Sequence, residues 1–381
     1  MSVSSALRRL VLVAVLFGST NAFAGYDWWW YSTNAFLSPS VVPAARSRTV
    51  TVGSTTYTST YQTAPNFAFR PVTNLAHQHE LVVFLAGYGD TTDQYQEFYR
   101  EAVEQGYYVI ALDYLNGRST HEMCACNDAC YGPLAQQLAD GVDHGFYDTF
   151  FATGGSPGPG SGVGNMAYNS IAIRLQYFLQ FMQYTADPNG SWTQFLDPAN
   201  NNKPRWSSII ISGHSDGGAY AAWILKNHDA EKGLTFSAPS PRLNIPASAL
   251  ASTDFTHAST QCTAADAPPH IWAQDTNGSC DFPSTKLRTL LAFGDPAYDS
   301  SGGADLDGKN QHGNLSGPCM KTGPARAETK LDTTVTSCAW IQANATEWLT
   351  LTNAGAGHGS TIMDGSSIPN RTCIWDQMLN H

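Results

Sequence analysis

The segment Ser207 to Ile224, SSIIISGHSDGGAYAAWI, carries the strongest chemical signal in the chain. Gly213, Ser215 and Gly217 form a G-x-S-x-G pattern between an apolar, strand-like run and a helix-like one. A serine in so sharp a turn lifts its hydroxyl clear of the backbone. The flanking glycines remove Cβ atoms that would collide with the strand and the helix. The following helix would point its positive end at an oxyanion formed during acyl transfer. In a chain with 33 glycines the bare pattern is weak, and only the strand before it and the helix after it make it specific.

A serine nucleophile needs a base and a group to orient that base, here expected in the chain order serine, acid, histidine. The apolar run LRTLLAF ends in GDPAYD, which puts Asp295 at the tip of a buried strand with Asp299 as the spare. Asp before Pro is also ordinary turn chemistry, but the chain position of Asp295 matches the acid. The run EWLTLT leads into NAGAGHGS, so His358 sits on a loop of small residues that lets an imidazole reach the serine. Of the 11 histidines, His214 adjoins the serine but faces away if Ser215 points into the site, and His121 and His312 lie in long irregular stretches. His358 is therefore the expected base. Two backbone N–H groups complete the set: that of Asp216, after the nucleophile, and that of Tyr88, in the glycine turn Ala86–Gly89. His358 would take the Ser215 proton as the hydroxyl attacks an acyl carbon, and water activated by the same histidine would release the acyl-enzyme. This chemistry needs no cofactor.

The elements that must position these residues are legible as short apolar runs. Leu81 to Ala86, Tyr107 to Leu112, Ser208 to Ile211, Leu234 to Ser237, Leu287 to Phe293 and Glu347 to Thr352 read as strands, most of them too continuously apolar for a half-exposed sheet. Between them, Gln94 to Glu104, Ser170 to Tyr184 and Gly218 to Lys226 show apolar spacings of three and four residues and are expected helices. Alternation of this kind predicts βαβ units and a mainly parallel α/β sheet flanked by helices. Residues 116–165 and 239–285 break the alternation and are expected as loop insertions over the site. Residues 25–75 read as an N-terminal extension, with an aromatic opening (Trp28, Trp29, Trp30, Tyr31) expected to pack across the domain and a Thr-rich hairpin from Arg48 to Tyr61. The main domain then runs over 76–381.

Taken together, the AGYG turn at Ala86, the GHSDG elbow at Ser215, the GD strand end at Asp295 and the GHG loop at His358 resemble the α/β-hydrolase superfamily over roughly residues 60 to 381. The resemblance implies a serine esterase-like or lipase-like hydrolase with Ser215, Asp295 and His358 as nucleophile, acid and base. It also implies that Tyr88 and Asp216 supply the oxyanion amides. The chain departs from many lipases and polyester hydrolases in having Ala86 where they place a histidine before the loop glycine.

Composition narrows the setting. Apolar residues make up 42 % and charged residues 13 %, the balance of a folded globular chain. A net charge of −11 without a basic cluster excludes reliance on nucleic-acid phosphates. Arg8, Arg9, the apolar run Leu10 to Phe17 and the Ala22-Phe23-Ala24 site read as a cleavable secretory signal over 1–24, placing the protein outside the cytoplasm, secreted or periplasmic. No later run is long and apolar enough to span a membrane. The eight cysteines then predict disulfides, with Cys262–Cys280 and Cys319–Cys338 suggested by proximity alone. The CACNDAC run lacks a two-by-two zinc spacing and DLDGKN lacks the closing Glu of a calcium loop, so neither predicts a metal site.

The expected substrate is a small-molecule or polymeric carboxylic ester. The same triad would serve an amidase, a peptidase or an acyltransferase, and the same fold can carry a non-catalytic binding protein.

Overall fold

A computed structural model describes residues 26–32, 47–52, 55–60, 65–72, 76–116, 128–142, 170–237, 286–292, 328–334, 336–345, 348–352, 358–366 and 368–380. The expected signal segment, the insertion 239–285, the greater part of 116–165, the DLDGKN run and residues Asp295 and Asp299 lie outside them.

The described strands are β1 (Tyr26–Ser32), β2 (Ser47–Val52), β3 (Thr55–Thr60), β4 (Pro65–Pro71), β5 (Leu81–Leu85), β6 (Tyr108–Leu112), β7 (Leu196–Asp197), β8 (Lys203–Pro204), β9 (Ile209–His214), β10 (Lys232–Phe236), β11 (Leu287–Ala292), β12 (Glu328–Leu331) and β13 (Trp348–Leu351). Nine of them form one sheet in the order β1-β4-β6-β5-β9-β10-β11-β13-β12. Every pair from β6 to β12 in that order is parallel, while β1 and β4 join as antiparallel partners at one edge. The parallel α/β sheet expected from the alternation is thus the frame of the molecule.

The helices are α1 (Gln96–Glu104), α2 (Asp128–Asp140), α3 (Ile171–Phe181), α4 (Asp216–His228), α5 (Cys338–Asn344) and α6 (Arg371–Asn380). They cover both faces, which is why the central strands are continuously apolar. Along β5, Leu81, Val83 and Leu85 pack with Ile209, Ile211 and residues of α2, α3 and α4, whereas Val82 and Phe84 face the opposite layer with α1 and α6. All five side chains are fully buried, and each contributes about 1.5–3 kcal/mol of transfer free energy.

Residues 25–75, expected as an N-terminal extension, supply β1 and β4 to this same sheet. Its aromatic opening alternates as a strand does. Trp29 is buried edge-on to Trp192, Trp28 stacks against Phe69, and Trp30 faces outward at 43 % exposure. A run of three tryptophans hides that alternation, because both faces of the strand carry the same residue type. The Thr-rich hairpin forms as expected from β2 and β3, in register from Ser47–Thr60 to Val52–Thr55.

One expected disulfide is corrected. Cys338 bonds to Cys373, not to Cys319, because α5 and α6 pack side by side and bring the two Cα atoms to 5.5 Å. Proximity in sequence misled where tertiary packing decided. The other proposed pair, Cys262–Cys280, lies outside the described residues.

Candidate active site

The central strand β9 ends at His214, and the chain turns at Ser215 directly into α4. Ser215 holds φ 52° and ψ −125°, a conformation that side-chain-bearing residues rarely adopt and that costs on the order of 1–3 kcal/mol. The turn persists because neighbours pin it. Ser215 N–H donates to the Phe236 carbonyl at 3.0 Å, and the Ser215 carbonyl accepts from Gly218 N and Ala219 N.

Both pattern glycines are required sterically. A Cβ on Gly217 would stand 2.2 Å from the Leu85 carbonyl oxygen, and one on Gly213 would stand 2.4 Å from the Gly217 carbonyl carbon. Helix α4 therefore lies against β5 and β9 closely enough that only glycine fits at either contact. Its 13 residues direct the N-terminal end, with Asp216 in the first turn, toward Ser215.

The glycine turn after β5 stands beside the elbow. A Cβ on Gly87 would meet Asp90 Oδ2 at 2.5 Å, His214 Nδ1 at 3.0 Å and the Ser215 Cβ at 3.1 Å. Gly89 adopts φ +69°. Asn116 clamps the turn from the end of β6: its side-chain amide donates to the carbonyls of Gly87 (2.7 Å) and Asp90 (2.8 Å), and its own carbonyl accepts from Gly89 N. Tyr114 adds a hydroxyl bond to the Ala86 carbonyl at 2.7 Å. Tyr88 is thus carried in a turn fixed on both sides.

His358 begins a short 3-10 turn, His358–Thr361, after β13. Five contacts hold His358 and the segment that follows it. The His358 carbonyl lies 3.1 Å from His214 Nε2, the Thr361 hydroxyl 2.8 Å from the Ser237 hydroxyl, and the Thr361 carbonyl accepts from Trp375 Nε1 at 3.0 Å. Asp364 caps the N-terminus of α1, accepting from Gln96 N at 2.9 Å and Glu97 N at 2.8 Å. The imidazoles of His214 and His358 lie 4.7 Å apart, centroid to centroid. Ser215, Tyr88, Asp216 and His358 accordingly gather at the carboxyl edge of the parallel strands, where open α/β sheets bind ligands. Strand β11 ends at Ala292, three residues before Asp295.

Sequence reasoning passed over the polar residues beneath this edge. His214 enters a buried cluster with Asp90 and Tyr95. Nδ1 lies 3.2 Å from Asp90 Oδ2 and 3.0 Å from the Tyr95 hydroxyl, which itself donates to Asp90 at 2.6 Å. Burial pushes the His214 imidazole below its ordinary pKa despite the neighbouring carboxylate. Burial alone would raise the Asp90 carboxyl, but its contacts with His214 and Tyr95 and the nearby His358 imidazole outweigh it and hold the group below its usual range. A signal for Asp90 existed in its place three residues after Gly87. None existed for Tyr95, which reads as a helix-start aromatic.

No family model and no curated sequence matches the chain. Among solved structures it is similar to an S-formylglutathione hydrolase from Agrobacterium tumefaciens, at 12 % identity and TM-score 0.40 over 95 % of this chain and 96 % of that one. It is also similar to carboxyl esterase 2 from Tuber melanosporum (12 %, TM-score 0.37, 88 % and 86 %) and to a Rhizomucor miehei esterase (11 %, TM-score 0.33, 91 % and 83 %). Similarity at that level leaves the functional reading to the chain's own residues. What those residues show is a strained serine after the central strand of a mainly parallel α/β sheet, and a histidine turn brought to the same edge from far along the sequence.

Proposed function

We propose that the protein is an exported serine hydrolase that cleaves carboxylic esters through an acyl-enzyme. The observation that carries this reading is the backbone of Ser215, held at φ 52° between β9 and the N-terminus of α4. A fold retains such strain where a side chain must be presented in one direction. Ser215 is the nucleophile, His358 the base and Asp295 the acid that orients it. The backbone N–H groups of Asp216 and Tyr88 hold the oxyanion.

In the first half-reaction the Ser215 oxygen bonds to the acyl carbon while its proton passes to His358, and the alcohol leaves with that proton. In the second, water gives a proton to His358 and attacks the acyl carbon, and the Ser215 oxygen recovers its proton as the acid is released. The Gly87–Asp90 turn is braced by Asn116 and Tyr114, so its amides need no rearrangement when charge develops. The Arg8–Ala24 segment supports export, and the Cys338–Cys373 bond fits an oxidising compartment. Among the described residues no helix is long and apolar enough to cross a membrane.

The test is turnover of short p-nitrophenyl esters by the mature chain. Ser215→Ala should lower kcat by about four orders of magnitude or more while leaving the circular dichroism spectrum unchanged. Equal turnover in wild type and variant would move the nucleophile elsewhere.

A further inference from the structure

Three loops that are far apart in sequence meet at His214: the glycine turn after β5, the elbow after β9 and the His358 turn after β13. His214 is fully buried, with 1 % of its side chain exposed, and both ring nitrogens have partners. A carbonyl oxygen only accepts, so the 3.1 Å contact with His358 requires a proton on Nε2. The other nitrogen then faces the Tyr95 hydroxyl and Asp90. The same hydroxyl lies 3.5 Å from Gly87 N, within reach of the glycine turn. Gly87 allows the approach, since any Cβ there would collide with Asp90 and His214.

We infer that His214, oriented by Asp90 and Tyr95, is a positioning residue that fixes the main chain of the base histidine relative to the nucleophile and the oxyanion turn. It touches no reacting atom. It acts by donating Nε2–H to the His358 carbonyl from the residue immediately before Ser215, so nucleophile and base share one rigid support. Asp90 and Tyr95, packed against the other ring nitrogen, keep the buried ring from turning away from that carbonyl. Being buried, the ring stays neutral and is unsuited to relaying the catalytic proton itself.

The inference rests on the hydrolase reading, and its test separates the two. Wild type, His214→Ala, His214→Gln and Tyr95→Phe are compared for kcat and KM on a p-nitrophenyl ester and for the rate of labelling by a fluorophosphonate probe. Folding is checked by circular dichroism. The glutamine amide can donate from nearly the position of Nε2, whereas alanine cannot. His214→Ala should lower kcat and the labelling rate about 10- to 100-fold with KM within about threefold of wild type, and His214→Gln should recover most of the loss. Tyr95→Phe, which keeps the ring volume, should lower kcat several-fold and stands in if His214→Ala does not fold. Equal kcat in the alanine and glutamine variants, or a Tyr95→Phe enzyme identical to wild type, overturns the inference while leaving the hydrolase reading intact. A wild-type protein that neither turns over ester nor takes label overturns the hydrolase reading and this inference with it.

Discussion

The nucleophile and the base are held in place by different means. Ser215 sits at the centre of the sheet, and its geometry follows from close backbone approach: α4 against β5, β9 against α4, and glycines where a Cβ would lie 2.2–2.4 Å from another atom. His358 lies toward the sheet's far edge, and side chains secure its segment to distant parts of the chain: His214, Ser237 and Trp375 reach in, and Asp364 within it caps the start of α1. Backbone sterics are intolerant of any added atom. Side-chain hydrogen bonds are individually worth about 0.5–1.5 kcal/mol and can be lost singly.

That contrast predicts how each half breaks. Gly217→Ala should be the most damaging small substitution, because its Cβ would meet the carbonyls of both Leu85 and Ala86 and α4 would have to lift off β5. A loss of about 3 kcal/mol or more in denaturant unfolding is expected, with turnover falling in parallel. A Gly217→Ala protein as stable as wild type would show that the helix has room the structure denies it. On the base side, the Cys338–Cys373 bond closes a loop spanning 35 positions and ties α6, which carries Trp375, to α5. Replacing both cysteines by serine should cost about 3–4 kcal/mol at most, and it should speed proteolysis around residues 338–380 before it affects the elbow.

Acid should expose a smaller difference. The folded chain keeps His214 neutral at pH values where the unfolded chain, with a histidine pKa near 6.5, already binds a proton. Stability therefore falls as pH drops below about 6.5, by at most about 1.4 kcal/mol per pH unit for this one proton. Asp90 acts in the same direction lower down: its depressed pKa stabilises the fold above the ordinary carboxylate range, and that contribution is lost as pH falls through the folded value. Melting curves between pH 7 and 5 should show a shallower decline for His214→Gln than for wild type. Parallel declines would mean that other groups carry the pH dependence.

The same contrast explains what the sequence disclosed. The elbow was legible because its constraint is local: strand, glycine, serine, glycine and helix occupy adjacent positions, and each residue type reports a steric demand. The parallel sheet was legible because strands covered on both faces must be apolar throughout, as Leu81 to Leu85 and Ile209 to Ile211 are. Strand β1 was missed because tryptophans occupy both of its faces. Tyr95, Ser237 and Asp364 were missed for another reason. Their partners are 119, 124 and 268 positions away, and no local pattern marks a residue whose function depends on what the fold brings beside it. Cys338 failed in the same way, since its partner was chosen by the packing of two helices and not by nearness along the chain.

The most direct test of the account is to map the site of covalent modification. The mature protein is treated with a fluorophosphonate, digested, and the adduct located by mass spectrometry, alongside a His358→Ala variant. One adduct on Ser215 in wild type, formed at least about a hundredfold more slowly in His358→Ala, is the predicted result. An adduct on another residue, or labelling of Ser215 at the same rate in both proteins, would contradict the pairing of this serine with this histidine.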